Sequence, residues 1–297
     1  MKISILSTVH NEERYLSSML DSIRAQDHRD WEVVLVDDGS TDATRDIIRR
    51  YARMDRRIVM VPYKGKLGKV AAFNAAYRHS SGAVVGLLAG DDLLPEGSLR
   101  KRLAPFADLE PTCPTVAYFK LRVFSGPVPL PTDLVVPRGS HGSRSGPSVT
   151  MNRRLADLVF PLPEELASDD PWIGEVSAAY AAATIESSVV VVNYRIHGGN
   201  SNPRNRSFEE MNEALHERAA AWASLLATDV PLAPSRRRQL EALDRAEQSR
   251  YAGKTLEVLS APGVGIRDRL ALAAHSSHVL FAARKKCYRL FSGWRGR

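Results

Sequence analysis

The sequence predicts an α/β fold in which a mostly parallel, Rossmann-like sheet is flanked by helices and followed by a helical C-terminal appendage. Two observations support this prediction. In the first hundred residues, short apolar runs alternate with amphipathic stretches of helical period, as in repeated βα units that build a parallel sheet. From residue 206 onward the apolar residues recur with helical period only. We therefore expect two regions, 1–205 and 206–297, with the first region divided into two halves at residue 100.

The first half contains four expected strands joined by helices. The strands are expected at 3–7, 33–36, 58–62 and 83–88, and the helices at 16–23, 42–51 and 70–80. In parallel sheets of this kind, ligands bind beyond the carboxyl ends of the strands. Candidate functional residues are therefore expected after the four strands, at 8–13, 37–40, 63–69 and 90–92.

The second half and the C-terminal region are less regular. A strand at 116–124 precedes a stretch rich in proline and glycine at 126–147, which we expect to be a long mobile loop. Further elements are expected at 151–157, at 171–183 (a helix), at 188–196 (a strand), and at 208–226 and 237–259 (two helices).

The charge distribution argues against a nucleic-acid-binding surface. Lys and Arg number 41 and Asp and Glu number 34, which gives a net charge of +7. Six basic residues after position 283, where no acidic residue occurs, supply almost all of this excess. Proteins that follow a phosphate backbone usually spread their basic residues over one face of a domain. The body of the chain is therefore not expected to bind nucleic acid.

Cysteine usage and hydropathy predict a cytoplasmic protein. The two cysteines, Cys113 and Cys287, are far apart in the sequence and suggest neither a disulfide framework nor a thiolate metal site. Polar residues interrupt the N-terminal apolar run too early for a signal peptide. No apolar run reaches the roughly 18 residues that a membrane span needs.

Three common motifs are not formed. The first glycine is Gly39, so no G-x-G-x-x-G follows the first strand, which argues against a dehydrogenase. Gln248 stands where a P-loop ending at 253–255 needs its first glycine. Arg144 occupies the serine position of a nucleophile elbow at 142–146. Dinucleotide, P-loop and esterase chemistry are therefore not expected.

Two pairs of carboxylates follow strands of the expected sheet. Asp37 and Asp38 close the second strand, and Asp91 and Asp92 close the fourth. One such pair alone could form a turn and cap the next helix. Two pairs at one sheet edge concentrate negative charge, which a hard divalent cation such as Mg²⁺ or Mn²⁺ would offset.

Four segments in this order resemble the signatures of family 2 glycosyltransferases. They are Ser-Thr-Val-His-Asn-Glu at 7–12, Val-Asp-Asp-Gly-Ser-Thr-Asp at 36–42, Gly-Lys-Val-Ala-Ala-Phe-Asn at 68–74 and Leu-Ala-Gly-Asp-Asp at 88–92. The resemblance continues through 168–172 and 194–197, so it covers roughly residues 1–205. It implies an inverting transferase with the GT-A fold, in which 1–100 is the nucleotide-binding half and 101–205 is the acceptor half.

The resemblance also implies which residues bind a nucleotide sugar. Asp38 would accept a hydrogen bond from a pyrimidine N3–H, since a carboxylate is only an acceptor, so UDP- or dTDP-linked sugars are the expected donors. Lys69 and Arg195 would contact the diphosphate, although a solvated lysine at a helix start is the alternative for Lys69. The full set is Thr8, Val9, Glu12, Asp38, Lys69, Gly90, Asp91 and Arg195.

A Mn²⁺ or Mg²⁺ ion held by Asp91, Asp92 and His197 is a further implication of the resemblance. The metal motif of the family usually reads Asp-x-Asp, and Ala89 replaces its first aspartate in this chain. We expect metal binding through Asp91, and the alternative is a catalytically silent nucleotide-sugar-binding or scaffold module. For His197 the alternative is a structural, hydrogen-bonded histidine.

Asp170 corresponds to the general base of the resembling family, which takes the proton from the acceptor hydroxyl. Asp169 is the second candidate, because the register of the pair is open by one residue. Both carboxylates stand at an expected helix start, where capping and dipole compensation are the alternative.

The acceptor and the C-terminal region are less determined by the sequence. Arg138, His141 and Arg144 could meet an acidic or pyrophosphate-linked acceptor. After residue 270, aromatic and aliphatic residues interleave with the basic cluster, as in helices that lie on anionic bilayers, and burial in a homodimer is the alternative. The resemblance implies a saccharide or lipid-linked glycan acceptor and a role in cell-surface polysaccharide synthesis.

Overall fold

The fold is described from a computed structural model that covers residues 1–63, 65–126, 128–129, 133–198 and 207–291, with side chains up to residue 286. The strands are β1 (Ile3–Val9), β2 (Trp31–Asp37), β3 (Ile58–Met60), β4 (Val84–Leu87), β5 (Thr115–Phe124), β6 (Leu134–Val136), β7 (Val149–Asn152) and β8 (Ala183–Arg195). The helices are α1 (Leu16–Arg24), α2 (Thr44–Met54), α3 (Lys69–Arg78), α4 (Ser98–Leu103), α5 (Arg153–Val159), α6 (Asp169–Tyr180), α7 (Phe208–Leu226), α8 (Pro234–Tyr251), α9 (Thr255–Leu259), α10 (Ile266–Ala273) and α11 (His278–Phe291).

Within the described residues, eight strands form one sheet in the order β3-β2-β1-β4-β7-β5-β6, with β8 paired to β5. β1 is parallel to both β2 and β4, and β2 is parallel to β3. β7 runs antiparallel to β4 and to β5. The carboxyl ends of β1, β2 and β4 and the amino end of β7 therefore lie at the same edge of the sheet.

The predicted elements of the first half are confirmed, with ends that shift by a few residues. All seven residues of β2 are buried, which explains its continuous apolar pattern, because helices cover a parallel sheet on both faces. α1 buries Leu16, Met19, Leu20 and Ile23, a spacing that turns one helix face towards the sheet. Local periodicity thus determines where these elements form.

The stretch at 126–147 differs from the expected mobile loop. β6 pairs antiparallel with β5, and the N–H of Ser143 donates to the carbonyl of Phe119 at 2.7 Å. A Cβ at Gly142 would lie 2.2 Å from the backbone of Tyr118, so the chain lies directly on β5. The expectation is wrong for the described residues, because backbone contacts rather than apolar anchors hold this stretch; residues 127 and 130–132 lie outside the description.

The chain divides into two compact units, Met1–Asn200 and Ser201–Arg297, with a boundary close to the one expected at residue 205. In the second unit, α7 begins with a capping box in which Ser207 and Glu210 exchange hydrogen bonds. The single helix expected at 237–259 is instead α8 followed by α9. Gly253, between them, has a φ of +74°, a left-handed conformation that ends a helix.

None of the helices in the described ranges is both long and apolar enough to cross a membrane. The tail residues with an expected membrane or dimer contact fall partly outside the description, since side chains are described only to residue 286.

Glu32 forms a buried charged cluster on β2 that ties the chain start to the turn before β4. Its carboxylate accepts hydrogen bonds from Lys2 Nζ, Ser4 Oγ and the N–H of Ser81, each at 2.6 Å. Burial alone would raise the pKa of Glu32, but the hydrogen bonds from Lys2, Ser4 and Ser81 outweigh it and lower the pKa below the ordinary 4.5. The charged form is therefore the one that stabilises the fold.

Replacing Glu32 by Gln is expected to lower the free energy of unfolding at pH 7 by about 1.5–3 kcal/mol, the value of hydrogen bonds to a charged group. Because the pKa is lower in the folded state, this stabilisation is complete above about pH 4.5 and is lost as the pH falls through the folded-state pKa. Urea unfolding between pH 7 and 3.5 measures the effect. The prediction is contradicted if the loss in free energy of unfolding does not change with pH. It is also contradicted if the loss equals that of Glu110→Gln, a change at an exposed position.

Candidate active site

The loop after β1 packs tightly against the segment after β4. A Cβ at Gly90 would lie 2.8 Å from Val9 Cγ1 and 2.9 Å from Glu12 Cγ, so a larger residue would displace this loop. Burial, followed by the charges of Asp91 and Asp42, raises the pKa of Glu12 to about 7. The structure thus brings Val9, Glu12, Gly90 and Asp91 together.

Asp38 follows β2 and is buried. Its N–H donates to the carbonyl of Val9 at 2.9 Å, and its Oδ1 accepts from the N–H groups of Leu67 and Gly68 at 2.5 and 3.0 Å. One oxygen of Asp38 therefore fixes the loop that leads into α3. This contact could not be predicted from a local pattern, because the partners are 29 and 30 residues away. Thr8 is partly exposed near the end of β1.

The segment after β8 meets the segment after β4 through a histidine–carboxylate contact. His197 Nε2 lies 2.9 Å from Asp91 Oδ2, with the two side chains 22% and 10% exposed. The ring of Tyr15 packs on the imidazole, with 4.9 Å between ring centroids. Tyr15 was missed in the sequence because an aromatic residue just before a helix indicates only packing. A carboxylate oxygen and an imidazole nitrogen are suitable ligands for a divalent ion.

Asp92 has a different environment from Asp91. It is fully buried, and its Oδ1 accepts from the N–H of Arg195 at 2.9 Å. Burial and the charge of Asp91 raise the pKa of Asp92 well above its ordinary value. Its other oxygen, Oδ2, is buried without a hydrogen-bond partner among the described residues, and the assignment of Asp92 as a metal ligand stays a prediction.

The described residues contain no group of three or more His, Cys, Asp or Glu side chains that could hold a metal ion. Asp91 and His197 would supply a carboxylate oxygen and an imidazole nitrogen to a divalent ion at this place.

Arg195 is buried between two aromatic rings. Its guanidinium carbon lies 4.7 Å from the ring centroid of Tyr15 and 4.5 Å from that of Phe124. Its Nε donates to the carbonyl of Asp91 at 2.9 Å. The structure therefore places Arg195 as a support of the Asp91 backbone, and its side chain does not fit the expected diphosphate clamp. The alternation of residues along β8 could not predict the burial of Arg195, because it does not tell which face of the strand other elements cover.

Asp169 and Asp170 open α6 and have different partners. Lys69 Nζ, at the start of α3, lies 2.6 Å from Asp169 Oδ1, and the Asp169 side chain is 2% exposed. Asp170 Oδ1 accepts from the N–H of Gly146 at 2.7 Å. Lys69 thus links the nucleotide-binding half to α6 and is not simply a solvated lysine. Gly146 belongs to no recognisable motif, so the sequence did not indicate it.

Arg144 packs against Tyr118 of β5. Its guanidinium carbon is 3.4 Å from the ring centroid of Tyr118, and the side chain forms an ion pair with Glu186. Arg138 and His141 are exposed, as is Arg144 itself. Arg144 therefore has a fixed position two residues before Gly146.

Comparison with known proteins gives consistent matches for the first unit. Residues 4–149 match the model of glycosyl transferase family 2. TuaG of Bacillus subtilis, a putative teichuronic acid biosynthesis glycosyltransferase, is 35% identical over 101 residues, which is 34% of this chain and 40% of TuaG. An uncharacterized glycosyltransferase of Nostoc sp. is 37% identical over 106 residues, 36% of this chain and 33% of the relative. The chain thus covers less than half the length of these relatives.

Solved structures resemble the whole chain. Residues 1–349 of S. aureus TarS, in complex with UDP-GlcNAc, match with a TM-score of 0.63 at 20% identity over 100% of this chain and 93% of that fragment. The mannosyltransferase PcManGT from Pyrobaculum calidifontis, in complex with GDP-Man and Mn²⁺, has a TM-score of 0.56 at 19% identity over 99% of this chain and 81% of its own. These similarities confirm the GT-A type fold. Residues 4–149, just under half of the chain, are similar to glycosyl transferase family 2.

Proposed function

We propose that the protein is an inverting glycosyltransferase that moves a sugar from a nucleoside diphosphate to a hydroxyl of a saccharide or lipid-linked acceptor. The observation that carries the proposal is the meeting of polar segments from distant parts of the chain. The segments after β1, β4 and β8 contact one another, and Lys69 and Gly146 each contact one carboxylate at the start of α6. Such a convergence of carboxylates at strand ends suits the binding of a charged donor beside a general base.

Asp170 is the proposed base. It takes the proton from the acceptor hydroxyl while that oxygen attacks the anomeric carbon of the sugar. The bond from this carbon to the diphosphate oxygen breaks on the opposite side, so the configuration inverts and the nucleoside diphosphate leaves. Asp169 is less suited to this role, because it is buried and paired with Lys69.

The proposed donor site comprises the edge of the sheet around Asp38, Asp91 and His197. Asp91 and His197 would hold a Mn²⁺ or Mg²⁺ ion, which offsets the negative charge that builds on the leaving diphosphate. Arg195 orients Asp91 through its backbone carbonyl. The remaining donor contacts are proposed for Thr8, Val9, Glu12, Lys69 and Gly90.

The proposed donor is a UDP- or dTDP-linked sugar, and the proposed context is cell-surface polysaccharide synthesis. An acceptor-only carboxylate such as Asp38 matches the imide N–H of uracil or thymine. Among similar proteins, TarS was solved with UDP-GlcNAc, and TuaG is named for teichuronic acid biosynthesis. We further propose that the protein acts in the cytoplasm. Its basic tail would contact the inner face of the membrane or a second copy of the chain.

A panel of UDP-, dTDP- and GDP-sugars, with and without Mn²⁺, tests this function through slow release of nucleoside diphosphate in the absence of an acceptor. We expect release from a UDP- or dTDP-sugar, dependent on Mn²⁺. Anomeric analysis by NMR, with an acceptor present, checks that the product is inverted. If donors bind without turnover under any condition, the silent module that Ala89 suggests is correct instead.

A further inference from the structure

Arg102 on α4 is a fully buried guanidinium with unusual partners. It donates to the carbonyls of Pro147 and Val149 and, at 2.9 Å, to Thr150 Oγ1. Burial lowers the pKa of Arg102 to about 9, so the group remains charged at neutral pH. Buried charges are costly and are normally offset by a carboxylate. Here the described hydrogen bonds of the cation all go to the segment that enters β7.

The sheet provides space for this guanidinium. Gly86 lies in the middle of β4, between Ile5 of β1 and Thr150 of β7. A glycine weakens a strand interior and often marks a close approach of another group. A Cβ at Gly86 would lie 3.4 Å from Arg102 Nη1, so the guanidinium packs against this position of the strand. The absence of a side chain at Gly86 therefore leaves room for the guanidinium of Arg102.

The segment that Arg102 contacts begins next to Asp170, the proposed general base. Gly146 directly precedes Pro147, and its N–H donates to Asp170 Oδ1 at 2.7 Å. A Cβ at Gly146 would lie 2.8 Å from Asp170 Oδ1 and 3.2 Å from Asp169 Oδ2. A methyl group at residue 146 would therefore force the Asp170 carboxylate to shift. Ser148 Oγ donates to the carbonyl of Ser145 at 2.7 Å and closes the turn.

We propose that Gly146 is a positioning residue for Asp170, and that the buried Arg102 holds the Gly146–Ser148 turn in place for this purpose. The inference rests on the proposed function, since it assigns Asp170 the role of base. The N–H bond fixes the orientation of the Asp170 carboxylate, which takes the proton of the acceptor hydroxyl under the proposed function. A hydrogen bond to the charged form also lowers the pKa of a carboxyl group and keeps it ready as a base.

Gly146→Ala tests the proposal, and Gly174→Ala is the matched control. Gly174 lies on the same helix as Asp170, with nothing within 4 Å of an added Cβ. For Gly146→Ala we expect kcat to fall at least about tenfold, as for the loss of one hydrogen bond to a charged group, with nucleotide affinity unchanged. The acid limb of the kcat–pH profile should move to higher pH. Gly174→Ala should leave both the rate and the profile as in the wild type.

Arg102→Lys supplies an independent variant, because it keeps the charge but cannot reach three acceptors in a planar fork. It should shift the acid limb in the same direction as Gly146→Ala. The inference is overturned if the wild type is active and the acid limb of the kcat–pH profile is unchanged in both variants. Failure of the wild type to turn over any donor instead overturns the proposed function. In that case a crystal structure of Gly146→Ala tests the positioning role without any activity. If the Asp170 carboxylate still accepts a hydrogen bond from the N–H of residue 146, the positioning role is refuted.

Discussion

Asp170→Asn is expected to lower kcat for sugar transfer by roughly 100- to 10,000-fold, the range that a general base contributes. Asparagine keeps the size of the side chain and an oxygen that can accept from the N–H of Gly146, but it cannot take a proton at neutral pH. Nucleotide affinity should remain as in the wild type, because Asp170 acts on the acceptor. Steady-state kinetics with calorimetric titration of nucleotide separates the two quantities.

Asp169→Asn is the informative comparison for this variant. It removes the charge that faces Lys69, so it should weaken donor binding or stability while leaving a measurable rate. If Asp169→Asn loses more of kcat than Asp170→Asn, the assignment is reversed and Asp169 is the base.

Asp91→Asn is expected to abolish the Mn²⁺ dependence of nucleotide binding and to lower kcat/KM at least about 100-fold. The reason is that a metal at a leaving phosphate contributes several kcal/mol of charge stabilisation, and each 1.4 kcal/mol is about tenfold in rate. The amide is neutral and a weaker ligand for a hard cation. Titration of nucleotide with and without Mn²⁺ measures the first effect, and initial rates measure the second.

The control for Asp91→Asn is Asp27→Asn, which removes an exposed carboxylate paired with Arg100. This control should bind nucleotide and Mn²⁺ as the wild type does. Mn²⁺-stimulated release that persists in Asp91→Asn would show that the ion, if one is needed, is held elsewhere.

The first half of the fold could be predicted because its signals are local. Apolar periodicity defines a strand or helix within ten residues, and β1, α1 and β2 lie where the pattern places them. The acidic pairs after β2 and β4 could be recognised for the same reason, since the position at a strand end is itself a sequence property. These signals indicate which residues reach the edge of the sheet.

What each residue does there depends on distant neighbours and could not be predicted. Arg102 stands in a run of basic residues that is typical of an exposed helix, yet it is buried against Thr150. Arg195 was expected to face a diphosphate, but the rings of Tyr15 and Phe124 enclose it. Such contacts join residues far apart in the chain, and no pattern within a window of ten residues contains them.

Because β7 runs antiparallel to β4, the stretch that precedes it lies outside the connections between the parallel strands. The sequence of this stretch can therefore change more freely than the sequence of those connections. The stretch at 126–147 enters the sheet at the edge where β4 ends, but it is not a connection between any two of the parallel strands β1, β2 and β4. Apart from the segment 142–147, which contacts β5, Asp170 and Arg102, its length and composition can therefore drift without altering the register of the strands that carry the proposed donor contacts. Under the proposed function, selection could diversify the acceptors of such an enzyme while its donor remained the same.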